Sequence, residues 1–241
     1  MKKKLCVFAL IVLTAIFAVS TYFLLTQNIE DKKQMNDFEE IQDIVDDNSN
    51  EIYSLGIYSD LYKQNSDFMA WIKIEGTNIN YPVMRSKNNP NYYLNHNFNK
   101  EYSRFGVPYM QEDCDMQSDN IVIYGHNMQN KSMFNELINY KSKHFYEKHK
   151  IIIIDTVLEH REYEVIAVFK TVAYESNSFE YYNFVNASTE DDYRAYIEKC
   201  KALSLYDTGI DAKYGDKLIT LSTCEYSQDN GRFVVVAKLV D

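Results

Sequence analysis

Glycine and proline are scarce, at 7 and 3 in 241 residues, which excludes collagen-like and low-complexity architectures. Positive charge is short too: 25 Lys and Arg face 35 Asp and Glu, for a formal net charge of −10. Three of those cations, Lys2, Lys3 and Lys4, sit at the N-terminus, so setting them aside leaves −13 for the rest. A body this acidic argues against nucleic acid as a partner, because phosphate contacts need clustered Lys and Arg. Cysteine is sparse, and none of Cys6, Cys114, Cys200 and Cys224 stands in C-x-x-C spacing. That argues against a zinc site and a disulfide scaffold, and no metal or cofactor is expected. Cys6 falls in the apolar N-terminus. The other three cannot all pair with one another, and a Cys114–Cys200 bridge stays open. No internal repeat is visible.

What is present begins with an apolar run. Leu5–Leu25 is 21 residues without a charge, about 31 Å as a helix at 1.5 Å per residue, which matches a bilayer's hydrocarbon core. Lysines before it and acidic residues after it place the N-terminus in the cytoplasm and the body outside. A cleaved signal peptide is the rival, since Ala18-Val19-Ser20 resembles a small-residue cleavage site. The apolar run continues beyond it through Leu25, which favours an uncleaved anchor. The expected organisation is therefore a cytoplasmic tail over 1–4, a transmembrane anchor over 5–25, a juxtamembrane stalk with N-terminal helices over 26–66, and a catalytic body over 67–241. Phe38, Ile41, Ile44 and Val45 recur at helical spacing, as do Tyr53, Ile57, Tyr58 and Leu61; a mobile stalk over Thr26–Phe38 is the alternative.

From Met69 the apolar period becomes two. Strands are expected at Trp71–Ile74, Asn78–Val83, Gly106–Met110, Ile121–Tyr124, Ile151–Asp155, Glu162–Ala173, Lys217–Thr223 and Phe233–Val240. Glu75-Gly76-Thr77 reads as a turn, and Tyr92-Tyr93-Leu94 anchors the loop Asn88–Asn99. Ser132–Ile138 is expected to be a short helix capped by Ser132. Thr189–Leu203 is the clearest helix, with Thr189 as N-cap, three acidic residues in the first turn, and one apolar face that includes Cys200. About eight strands with helices at the edges suit a closed or nearly closed β-barrel, which removes exposed edges.

Lys217–Val240 holds the chemistry. Its two strand-like halves flank a polar segment ending in Asn230-Gly231, a hairpin signal. Folding there sets Cys224 beside Arg232, roughly 5 Å between Cα atoms if directly opposed. The period of two puts Thr220, Ser222 and Cys224 on one face. A guanidinium that stays charged at any relevant pH can hold a thiolate or an oxyanion. Elsewhere, His126 follows the Ile121–Tyr124 strand and Gly125, whereas His96, His144, His149 and His160 lie in polar or charged stretches.

Thr220-Leu221-Ser222-Thr223-Cys224, with Arg232 eight residues on and a Val-rich strand after it, resembles the TLxTC…R signature of sortases. Gly125-His126 at a strand end matches the same family. The resemblance runs from Asp67 to Val240. It implies an eight-stranded sortase-like barrel of cysteine transpeptidases on Gram-positive cell surfaces. The helical sequence before the first strand and the long helix between the sixth and seventh strands are similar to class B. It further implies Cys224 as nucleophile, His126 as general acid and base, and Arg232 at the oxyanion, with the Glu225 N–H as second donor. Substrate contacts are expected from Thr220, Ser222, Leu94, and Tyr181 and Tyr182 in the loop Tyr174–Asn186. The implied partners are secreted proteins with a C-terminal sorting signal, cut after Thr, and a peptidoglycan cross-bridge amine or its lipid-linked precursor. Two rival readings are a surface cysteine hydrolase without transfer and a non-catalytic anchored binding module.

Overall fold

The computed structural model describes residues 2–48, 55–175 and 178–240. Two compact units result, Met1–Asn50 and Glu51–Asp241. In the first, helix α1 runs unbroken over Lys2–Asn48. It contains a stretch of mean hydropathy 2.4 whose side chains are unburied, long and apolar enough to cross a membrane. Two of its threonine hydroxyls bond back along their own helix: Thr14 donates to the Leu10 carbonyl (2.5 Å) and Thr21 to the Phe17 carbonyl (2.8 Å). That is the arrangement hydrocarbon demands, since no water is there to take the bond. Thr26–Phe38 is part of this same helix. The second expected helical pattern becomes α2, Leu55–Gln64, whereas Ile52 and Tyr53 lie outside the described residues.

The second unit is a barrel of eight strands: β1 Phe68–Lys73, β2 Asn80–Met84, β3 Tyr109–Met110, β4 Asn120–Tyr124, β5 Ile151–Asp155, β6 His160–Val172, β7 Leu218–Cys224 and β8 Gly231–Leu239. Their order around the closed barrel is β1-β2-β3-β4-β7-β8-β6-β5, with β1 pairing β5 to complete the ring. Closure leaves no unpaired edge to template aggregation. All eight expected strands are found. The third is much shorter than expected, because Gly106 adopts φ +55° and its backbone packs against the Tyr93 and Leu94 carbonyls. Large rings fill the interior, among them Trp71, Phe169 and Phe233, each 1% exposed or less.

Helix α3 is Lys143–Lys148, and Ser142, whose hydroxyl accepts from the Phe145 N–H, caps it. The sequence reading missed this helix and placed one too early. The segment after His126 is a 3-10 helix over Asn135–Lys141, and Ser132 does not cap it. The Ser132 hydroxyl instead donates to Asn130 Oδ1 at 2.7 Å, an Asn competing for the role of local acceptor. Helix α4, Glu190–Leu203, lies between β6 and β7 as expected. The Thr189 hydroxyl accepts from the Asp192 N–H, and Tyr193, Tyr196, Ile197 and Cys200 are buried. All four cysteines are free, so the open Cys114–Cys200 question is settled against a bridge.

Strand direction decides where the chemistry converges. β4 and β7 are parallel, with Tyr124 beside Ser222, so both end at the same mouth of the barrel. β8 is antiparallel to β7 and therefore begins at that mouth. Residues just past β4, at the end of β7 and at the start of β8 meet there, although they are far apart in sequence.

Candidate active site

Cys224 is the last residue of β7, and its direct cross-strand partner is Arg232. The turn between them uses its special residues in two ways. Asn230 takes φ +52°, a left-handed conformation that Asn tolerates. Gly231 has no such φ, and is required by proximity: a Cβ there would collide with the Glu225 carbonyl. The Arg232 Nη1 donates to the Gly231 carbonyl at 3.0 Å. That bond steadies the guanidinium and leaves most of its five-donor fork for the cleft.

Tyr124 and Ser222 are register partners in the β4–β7 ladder. His126 lies two residues beyond the first, and Cys224 two residues beyond the second. Gly125 is needed between strand and histidine because a Cβ would fall 2.6 Å from the Phe134 ring. His126 Nε2 lies 2.7 Å from the Leu94 carbonyl. A carbonyl only accepts, so Nε2 carries hydrogen, and in the neutral ring Nδ1 holds the lone pair.

Cys224, His126 and Arg232 line one cleft of about 470 Å³. Leu94, Tyr181, Tyr182 and Ser222 line it too. The Ser222 hydroxyl and the buried Tyr181 phenol hydrogen-bond at 2.5 Å. Burial pushes Tyr181 up to about 12, although Ser222 and Arg232 pull the other way. Thr220 is not brought to the cleft. Its hydroxyl is fully buried, donating to Asn120 Oδ1 (2.8 Å) and meeting the Tyr196 phenol of α4 (3.0 Å). The strand face is shared: its inner part supports α4, and only its end reaches the cleft.

Glu225 also departs from expectation. Its N–H donates to the Gly231 carbonyl at 2.9 Å, so this main-chain donor is committed to the turn. Its side chain is buried and ion-paired with Lys170 (3.0 Å) and Lys141 (3.2 Å), with Ser227 bonding the other oxygen. Burial would raise the carboxyl, but the Ser227 hydroxyl, Lys170, the Ser227 N–H and Lys141 prevail and hold it at about 2.

Sequence reasoning overlooked several groups here. Tyr109, Gln111 and Tyr124 form a wall of the cleft, with the Tyr124 phenol donating to Gln111. Burial raises the Tyr109 phenol, and the Tyr174 and Cys224 charges add to this while Arg232 opposes it. The sequence pattern marks Tyr109 and Tyr124 as strand positions but gives no sign of the mouth they face. Asn127, the neighbour of His126, carries no signal of its own in the sequence; its side chain donates to the Cys224 carbonyl at 2.9 Å.

The remaining buried thiols differ from Cys224. Burial pushes Cys114 and Cys200 each up to about 12, which keeps them as inert thiols, whereas Cys224 is partly exposed.

A partly exposed thiol that shares its cleft with an imidazole and a permanent cation places the protein among cysteine enzymes of acyl transfer. Comparison with known proteins narrows this. The Sortase domain family model matches residues 72–240, and the chain belongs to the sortase family. It is 30% identical over 244 residues to Sortase B of Staphylococcus aureus (strain NCTC 8325 / PS 47), covering 99% of this chain and 98% of that protein. The solved Staphylococcus aureus sortase B–substrate complex superposes with TM-score 0.79 at 32% identity, over 88% of this chain and 99% of that one. A sortase B complexed with triglycine gives TM-score 0.80 at 31% identity, with the same coverage. These likenesses make the chain a class B sortase, a cysteine transpeptidase.

Proposed function

We propose that this protein is a membrane-anchored sortase that cuts a C-terminal sorting motif after its Thr and joins the acyl part to a cell-wall amine. The observation carrying the reading is the direct pairing of Cys224 with Arg232 at the mouth that also holds His126. With its proton held by His126, the Cys224 sulfur attacks the scissile carbonyl carbon, and the oxyanion of the tetrahedral intermediate meets the Arg232 guanidinium. His126 gives a proton to the leaving amine as the C–N bond breaks, and a Thr thioester remains on Cys224. An incoming amine then attacks the thioester carbon and loses its proton to His126. The C–S bond then breaks, the new amide leaves, and the sulfur and the imidazole again share the one proton they began with.

Leu94, Ser222, Tyr181 and Tyr182 form the groove that receives the sorting peptide. The related sortase B–substrate complex and the sortase B bound to triglycine support a peptide donor and an oligoglycine-like amine as acceptor. In the cell that amine belongs to the peptidoglycan cross-bridge or its lipid-linked precursor. The α1 helix anchors the enzyme with its N-terminus in the cytoplasm and the barrel outside. The test incubates the full chain in detergent with a panel of sorting-motif peptides, with and without triglycine. The expected product is a peptide–triglycine ligation made by wild type and absent from Cys224→Ala. Cleavage whose products ignore triglycine would instead make the protein a hydrolase.

A further inference from the structure

The parallel ladder between β4 and β7 stops at the pair Tyr124 and Ser222, and its last main-chain link is the Gly125 N–H to the Ser222 carbonyl at 3.1 Å. Past that point the strands have parted, because β4 must turn away to present His126. Side chains then take over the cross-linking. The Thr223 hydroxyl donates to the Gly125 carbonyl at 2.7 Å. Two residues further, Asn127 Nδ2 donates to the Cys224 carbonyl at 2.9 Å. The second of these bonds joins the residue following the histidine to the main chain of the cysteine itself.

The amide of Asn127 is held in one orientation. A carbonyl can only accept, so the Cys224 oxygen requires the Asn127 NH₂ to face it. The Asn127 oxygen then points the other way, where it accepts from Asn135 Nδ2 at 2.6 Å. The main chain around it is pinned as well. The Tyr226 phenol donates to the Asn127 carbonyl at 3.2 Å, and the Phe134 N–H donates to the His126 carbonyl at 2.8 Å. His126 is thus bracketed by two tethers to the β7 end, one on each side, while its ring reaches over to Leu94.

We propose that Asn127, oriented by Asn135, is a positioning residue that sets the spacing between Cys224 and His126. The proposal rests on the catalytic reading of those two residues. Proton transfer between them and the substrate is steep in distance, and a misplacement of about 1 Å from a residue outside the chemistry can cost on the order of 100-fold in rate. Asn127 itself needs no contact with substrate to have this effect.

The experiment measures thioester formation in a single turnover, together with kcat, KM for the sorting peptide and melting temperature, on the full chain in detergent. Asn127→Ala is expected to lower kcat by about 10- to 100-fold with KM little changed. Asn127→Asp keeps the acceptor for Asn135 but sets an oxygen against the Cys224 carbonyl, so it is expected to do no better than alanine. Asn135→Asp touches neither catalytic residue. Its carboxylate repels the Asn127 oxygen, turns that amide over and breaks the bond to Cys224, so kcat should fall in the same direction. This third variant decides the matter if Asn127→Ala does not fold. Unchanged kcat in the folded variants, a loss confined to KM, or a loss that tracks the unfolded fraction overturns the proposal. Wild type that forms no thioester sinks the catalytic reading and this inference with it. An active wild type matched by active variants sinks this inference alone.

Discussion

Arg232 differs from Cys224 and His126 in that the role proposed for it depends on shape as well as charge. Its Nη1 is anchored on the Gly231 carbonyl, and its strand position is fixed opposite Cys224. The remaining donors are therefore aimed before substrate arrives, which is the condition for stabilising charge without reorganisation. The Glu225 N–H is committed to the turn, so in the proposed mechanism the oxyanion falls mainly to the guanidinium. Arg232→Ala is expected to lower kcat for peptide cleavage by roughly 100- to 1000-fold. Arg232→Lys should recover only part of that, since an ammonium keeps the charge but loses the planar fork. Full activity in the lysine variant would show that charge alone suffices. The pairing of Cys224 with Arg232 was legible in the sequence, because two β-branched runs and an Asn-Gly turn leave little freedom of register. The role of Asn127 was not, because its partner is a main-chain oxygen 97 residues away.

The turn from β7 to β8 is held from below by an ion cluster. Glu225 accepts from Lys170 of β6 and Lys141 of the 3-10 helix, so three elements are tied together next to Cys224. Removing the carboxylate with Glu225→Gln should cost about 1–3 kcal/mol in urea denaturation at neutral pH. The pH dependence has a definite sign. The folded carboxyl sits near 2 against an ordinary 4.5, so folding favours the charged form. The stabilisation is complete above about 4.5 and is lost as pH falls through about 2. The difference between wild type and Glu225→Gln should shrink across that window; a constant difference would mean that the charge is not what the turn relies on. None of this cluster was visible in the sequence. Lys141, Lys170 and Glu225 look like scattered surface charges until the barrel closes. Elements with a strong local signal, such as α4 with its Thr189 cap, were legible. The 3-10 helix after His126 was misplaced, because Ser132 had a competing partner in Asn130.

At the scale of the whole molecule, the closed barrel gathers the three chain segments at one mouth, and α1 holds a stretch long and apolar enough to cross a membrane. The alternation of apolar residues implied eight strands and the family resemblance implied the barrel. The parallel pairing of β4 with β7, which brings His126 to Cys224, is a topological fact that local patterns do not encode. The apolar stretch of α1 bears on rate rather than on chemistry. In the proposed function, a peptide donor halted at the membrane and a lipid-linked amine acceptor are both confined near its outer face. Confining the enzyme to the same layer turns encounter into a nearly intramolecular event, which can raise effective avidity by about 100- to 10,000-fold without any new contact. Two preparations separate this from an effect on the barrel: the full chain in lipid vesicles, and residues 55–241 alone. With soluble peptide and triglycine their kcat/KM values should agree, because the cleft is lined by residues of the barrel unit. With an acceptor amine anchored in the vesicle, the full chain should be faster by at least about tenfold, and dilution of the vesicles should leave its advantage intact. Equal rates on the anchored acceptor would show that α1 serves some purpose other than bringing the enzyme to its second substrate.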